Sequence, residues 1–240
     1  LAEHDVQTVF ILVGRLMAKP RSNDLFEARL SNQRNIAVLE AACQSQSRPQ
    51  VIACYGDEHR QAPCSETCLD QRAYQARGCH FARCGDLFGG GDLDWSNLVP
   101  AVIRSALRGQ LQPIHLTVSP LANHVYSKDS AAGIVHLAEY LANNPELREV
   151  FDVRGDKTTT AIEIVNCITE LWGIDLKVTI RHGPDHQNAP ASRLRLIPDW
   201  QPSIAIQEAL QETIAWYERY FFTRPFPRRP RQVPQAPIAA

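Results

Sequence analysis

Residues 81–100 read FARCGDLFGGGDLDWSNLVP, an apolar run ending at Arg83 that meets a turn dense in glycine, Gly85, Gly89, Gly90 and Gly91. Asp92, Trp95 and Pro100 then lead into a helical pattern. The order predicts strand, loop, helix. Glycines there let the backbone come close to a ligand or to another segment of the chain. A loop at the carboxyl end of a strand is also where open α/β sheets place their ligands.

The flanking sequence supplies the rest of a sheet. Residues 5–13, DVQTVFILV, form a short β-rich apolar run, the pattern of a strand buried on both faces of a parallel sheet. A helical spacing follows over 23–43, with Ser22 or Asn23 as N-cap, and QVIAC at 50–54 is a second buried strand. Strand, helix, strand predicts a parallel, right-handed crossover. A helical piece over 68–77 and a third strand over 79–83 lead into the glycine loop. Downstream, helices are expected over 98–107, 129–141, 160–172 and 205–221, with strands over 114–118, 151–153 and 176–180. Thr158 or Thr159 caps the 160–172 helix and Gly173 ends it, while Asp92 and Asp94 read as caps for the helix after Trp95. The fold class is α/β, a parallel sheet flanked by helices. Its expected parts are a partial core over 1–112, the rest of the core with a small C-terminal lobe over 113–222, and an extended tail over 223–240.

Composition limits the partners. The chain has 240 residues, 44% hydrophobic and 21% charged, enough for a sizeable core. A net charge of −1 gives no reason to expect nucleic acid or a membrane surface as partner, and no apolar run approaches the roughly 18 residues of a membrane span. The chain opens on Leu1 with no secretory pattern, which reads as a fragment or a processed form. Its seven cysteines are an odd number, so reduced thiols and a cytoplasmic location are expected. Cys64, Cys68, Cys79, His80 and Cys84 do not fit a zinc-ligand spacing, and His182 and His186 flank a Gly-Pro turn without a third ligand; no metal is expected. Arg154, Gly155 and Asp156 read as a turn after a strand. The tail from Thr223 is rich in proline, and its Arg224, Arg228, Arg229 and Arg231 either dock on an acidic surface of another protein subunit or keep the tail soluble.

The stretch at 81–100 resembles the R-x-G-N-x-x-G-G-G-D-W segment of extended short-chain dehydrogenase/reductases that act on nucleotide sugars, most of all CDP-glucose 4,6-dehydratases. NQRNIAVLEAA (32–42), HVYSKDSAAGIVHLAEYL (124–141) and PDWQP (198–202) resemble further motifs of the same family in the same order. The resemblance implies a Rossmann-like sheet, incomplete here, with a small substrate-domain-like lobe. It implies NAD and a nucleotide sugar as ligands, and it places Arg83, Gly85, Asp86, Gly89, Gly91, Asp92 and Trp95 at what was the substrate site.

The chemistry that such an enzyme needs is not spelled out in these residues. NAD binding calls for a glycine fingerprint that lays the pyrophosphate on a helix N-terminus. Proton abstraction calls for a Tyr-x3-Lys pair, in which the ammonium lowers the phenol pKa. The chain contains no G-x-G-x-x-G, and the positions four before Lys19, Lys128, Lys157 and Lys177 are Arg15, His124, Val153 and Gly173. Asp86 sits where the family carries an amide and would repel a diphosphate. The expectation is therefore a degenerate member without redox catalysis and without a cofactor, serving as a structural or regulatory subunit. The alternative is an active NAD-dependent dehydratase or epimerase whose missing segments lie outside or between these residues.

Overall fold

The computed structural model describes residues 6–13, 24–56, 71–109, 114–118, 123–154, 159–174, 177–182 and 194–222. The proline- and arginine-rich tail with Arg224, Arg228, Arg229 and Arg231 lies outside them, as do Ser22, Asn23, Cys64, Cys68, Gly155, Asp156 and His186.

Five parallel strands make the central sheet, in the order β1 (Thr8–Val13), β2 (Gln50–Gly56), β3 (Cys79–Cys84), β7 (Val150–Val153) and β9 (Leu194–Leu196). Over β2, β3 and β7 the apolar runs form strands because both faces of the sheet are covered, which removes the need for polar alternation; β1, expected to be buried on both faces, lies at the edge, where Ile11 is buried but Phe10 and Leu12 are exposed. Alternate residues of β2 show the two covered faces directly. Val51 and Ala53 pack into a cluster with Leu39 and Ala42 of α1 (Asp24–Gln44) and Tyr74 of α2 (Gln71–Ala76). Ile52 and Cys54 face the other way, onto Ile134, Leu137 and Leu141 of α4 (Ser127–Ala142). The parallel pairing of β1, β2 and β3 agrees with the crossover expected from the sequence.

A third buried cluster lies beside the sheet. It joins α3 (Leu98–Arg108), α5 (Ala161–Trp172) and α6 (Ile206–Phe222) through Val102, Ile103, Ile164, Ile168, Leu210 and Tyr217. Two short parallel pairs accompany it, β4 (Asp86–Phe88) with β6 (His124–Tyr126) and β5 (Ile114–Val118) with β8 (Val178–His182).

Several local expectations need correction. The segment after Arg83 is not a plain loop, because Asp86–Phe88 pairs with His124–Tyr126 before the glycine turn begins. The 68–77 helix is described only over Gln71–Ala76. Thr160, rather than Thr158 or Thr159, caps α5: its hydroxyl accepts from Glu163 N at 3.3 Å, while the Glu163 carboxylate accepts from Thr160 N at 2.7 Å. This reciprocal pair satisfies two otherwise orphaned groups, and Gly173 ends the helix at φ 60°, as expected. Asp92 and Asp94 do not cap α3; Asn97 holds that position, and the two aspartates shape the turn before it.

Trp200 of the PDWQP segment packs on α4 at Gly133, where an added Cβ would lie 2.7 Å from the indole ring. In an open helix Gly→Ala gains up to about 1 kcal/mol, but overpacking against an aromatic costs about 1–3 kcal/mol. Gly133→Ala is expected to lower stability in urea denaturation, and the sign should reverse in a Trp200→Ala background, where only the propensity gain remains.

Candidate functional site

The candidate site begins on the central sheet, where Arg83 at the end of β3 lies beside Asp152 of β7 in the parallel register. Both are buried, and the Arg83 guanidinium donates to Asp152 Oδ2. Arg154 Nε reaches the same oxygen at 2.7 Å, so one carboxylate serves two cations. Arg83 is thus committed to the interior of its own chain. The sequence reading missed Asp152; the available signal was an acidic residue inside a strand, FDV, that is buried at every position.

The glycines that follow make room for protein. A Cβ at Gly85 would collide with the Asn123 carbonyl, which accepts from Asp86 N at 3.0 Å. A Cβ at Gly89 would collide with the Ser127 hydroxyl, and one at Gly90 would stand 2.5 Å from Cγ of Trp216 on α6. Gly91, at φ 97°, turns the chain back in a conformation that suits glycine. Asp92 then organises the turn, accepting from Asp94 N at 2.9 Å and from Asn97 Nδ2 at 2.8 Å. Its own carbonyl accepts the Tyr217 hydroxyl of α6. Trp95 stacks on Phe221 at 5.6 Å and tilts against Tyr217 at 6.1 Å, with the Arg104 guanidinium 4.8 Å over its ring. Gly85, Asp86, Gly89, Gly91, Asp92 and Trp95 therefore lie along one continuous path, seated on β6, α4 and α6.

Beside this path stand a tyrosine and a lysine. Tyr126, packed on Phe88 at 5.5 Å, donates to Glu212 Oε2 at 2.5 Å, and Lys128 Nζ reaches the same oxygen at 2.5 Å. Burial, and then the Glu212 carboxylate, push the Tyr126 phenol above its ordinary value, against a smaller opposing pull from Lys128. Lys128 and Tyr126 in turn hold the Glu212 carboxyl below its usual range. Tyr74 and Tyr217 are also displaced upward, both chiefly by burial.

Asp129 lies in the first turn of α4, as expected, and has a second task. It is buried and accepts from Ser203 N at 3.0 Å and Ile204 N at 3.3 Å, fixing the segment that leads into α6. His124 is buried on β6, and loss of solvation lowers its pKa to about 4.

No family model matches the chain. A trifunctional UDP-glucose 4,6-dehydratase/UDP-4-keto-6-deoxy-D-glucose 3,5-epimerase/UDP-4-keto-L-rhamnose-reductase, RHM3 of Arabidopsis thaliana, is 27% identical over 128 residues, covering 50% of this chain and 18% of the relative. The dTDP-glucose 4,6-dehydratase of Bacillus anthracis, solved with NAD, superposes with a TM-score of 0.59 at 18% identity, over 91% of this chain and 74% of the other. The UDP-glucuronic acid 4-epimerase of Bacillus cereus, solved with UDP-glucuronic acid and NAD, reaches 0.64 at 11% identity, over 90% and 77%. The curated relative is thus a dehydratase, epimerase and reductase in one, and the two structures are a dehydratase and an epimerase solved with NAD. Their fold, the Rossmann-like sheet of the extended short-chain dehydrogenase/reductases, is the fold of this chain. The chain spans about a fifth of the length of the curated relatives it matches, 18% of each.

Gly85, Gly89 and Gly90 of the path face Asn123, Ser127 and Trp216, whereas a Cβ at Gly91 would meet nothing within 4 Å.

Two measurements test the site. Removing one member of a buried ion pair costs about 3–5 kcal/mol when the other is left uncompensated; Arg83→Met leaves Asp152 its contact with Arg154, so it should lose less than that in chemical denaturation but more than removal of an exposed pair such as Arg195 with Glu149 would. His124 is neutral when folded, with a pKa of about 4, and protonates near its ordinary 6.5 when unfolded. The unfolded state therefore binds more protons between these values, and stability falls as pH drops through that window. The loss reaches about 3 kcal/mol at about 1.4 kcal/mol per pKa unit. His124→Asn should flatten that part of the pH profile, read by urea midpoints at successive pH values.

Proposed function

We propose that the chain is a nucleotide-sugar dehydratase/epimerase-like protein without redox catalysis of its own, acting as a structural or regulatory subunit of a larger assembly. The observation that supports this reading is the glycine path, whose Gly85, Gly89 and Gly90 face Asn123, Ser127 and Trp216. A dehydrogenating tyrosine needs a lysine that lowers its pKa, so that the phenolate can accept a hydroxyl proton, and no tyrosine stands four residues before Lys19, Lys128, Lys157 or Lys177. Asp86 and Asp92 add carboxylates to the path where a nucleotide diphosphate would need cations. On this reading Arg83, Gly85, Asp86, Gly89, Gly91, Asp92 and Trp95 are a vestigial substrate site kept for its shape. Arg224, Arg228, Arg229 and Arg231 offer a partner subunit a basic, proline-stiffened ligand for an acidic surface.

A second reading, an active NAD-dependent dehydratase or epimerase of which these residues are one part, is favoured by the sheet edge. Among the described residues β1 is paired on one side only, and Phe10 and Leu12 are exposed on it. A parallel sheet that continued into further strands would leave such an edge. Incubation with NAD and UDP-, dTDP- or CDP-glucose, followed by assay for a 4-keto sugar, separates the two readings. The subunit reading expects no product; turnover by this chain contradicts it.

A further inference from the structure

A cavity of about 810 Å³ opens at the amino ends of β1, β2 and β3, on the side of the sheet away from the glycine path. Its wall brings together Cys43, from the last turn of α1, and Cys79, the first residue of β3, with Arg48, Arg77, Gly78 and His80 around them. The two sulfurs stand 3.4 Å apart, although the residues are 36 positions apart in the chain. Cys43 is half-buried and Cys79 is buried. Among the described residues no group of three or more His, Cys, Asp or Glu could hold a metal ion, so the pair is not part of such a cluster.

We propose that Cys43 and Cys79 are a redox-active dithiol that closes to a disulfide in the presence of a low-molecular-weight disulfide such as oxidised glutathione. The contact distance exceeds a disulfide bond by roughly 1.4 Å, a gap that side-chain rotation and small backbone adjustments can close. Exposure orders the steps. The Cys43 thiolate attacks one sulfur of the oxidant, whose S–S bond breaks and releases one thiol, leaving a mixed disulfide on Cys43. Cys79 then gives up its proton to solvent in the cavity, and its sulfur attacks Cys43 Sγ. The protein disulfide forms and the second small thiol leaves. Two electrons pass from the protein thiols to the oxidant, which is reduced to two thiols.

The surroundings suit the buried thiol to the second step. Burial and the bond to Cys43 hold the Cys79 thiol up at about 12, against opposing pulls from Arg77 and Arg148. It is therefore a weak first nucleophile, but one already in contact with its target. Cys54 and Cys84 form a second thiol pair, on β2 and β3, and differ in access, since both are buried against α4. The disulfide would tie the end of α1 to the first residue of β3.

The reduced chain is treated with oxidised glutathione, alkylated, digested and mapped by mass spectrometry. The expected product is a peptide crosslinked between Cys43 and Cys79, reversed by dithiothreitol. The oxidised chain should melt at a higher temperature, because the crosslink closes a long loop in the unfolded state. Cys79→Ser should trap glutathione on Cys43, whereas Cys43→Ser should leave Cys79 free and alkylated after denaturation. A glutathione adduct that persists on Cys43 of the unsubstituted chain while Cys79 stays reduced overturns the proposal. So does an unreacted Cys43.

Discussion

The seat of the glycine path on α6 is the constraint that the region around the candidate site depends on. Gly90 lies under Trp216, the Asp92 carbonyl takes the Tyr217 hydroxyl, and Trp95 stacks on Phe221. These contacts join a loop at the end of β4 to a helix more than a hundred residues later. Asp129 fixes that helix from the other side, because its carboxylate holds the backbone at Ser203 and Ile204 just before α6 begins. The loop and α6 therefore have one geometry between them, and a side chain at Gly90 would have to displace Trp216.

On the proposed reading, a path shaped in this way leaves little for a ligand to use. Glycines that would admit a diphosphate in an open loop instead admit the Asn123 carbonyl and the Trp216 ring. The cations that a diphosphate would seek are engaged by the protein, Arg83 and Arg154 at Asp152 and Lys128 at Glu212. Engagement alone does not abolish binding, since surface pairs such as Lys128 with Glu212 are weak. The buried cluster at Asp152 is different in kind, because opening it would expose a charge to a low-dielectric interior.

Much of the fold was legible in the sequence, because parallel strands announce themselves as unbroken apolar runs, although the run at β1 did not reveal that Phe10 and Leu12 would be exposed. Thr8–Val13, Gln50–Gly56 and Cys79–Cys84 all lie where those runs do. The three-residue strands β4, β6 and β9 were not legible, since segments so short carry no periodicity and exist only through their partners. The α5 cap was misplaced by one or two residues among three threonines, although Glu163 at the third helical position distinguishes Thr160. The candidate site was legible as a stretch but not as an arrangement. Arg83 meets Asp152 across 69 positions, Tyr126 meets Glu212 across 86 and Asp92 meets Tyr217 across 125, separations at which local spacing carries no signal.

We propose that the chain has kept the shape of a ligand path without its ligand. Titration calorimetry of the folded chain with NAD, and separately with UDP-, dTDP- and CDP-glucose, tests it most directly. The account predicts no saturable heat with any of them. Saturable binding of NAD or of a nucleotide sugar, weakened by a bulky substitution at Gly91, would contradict it.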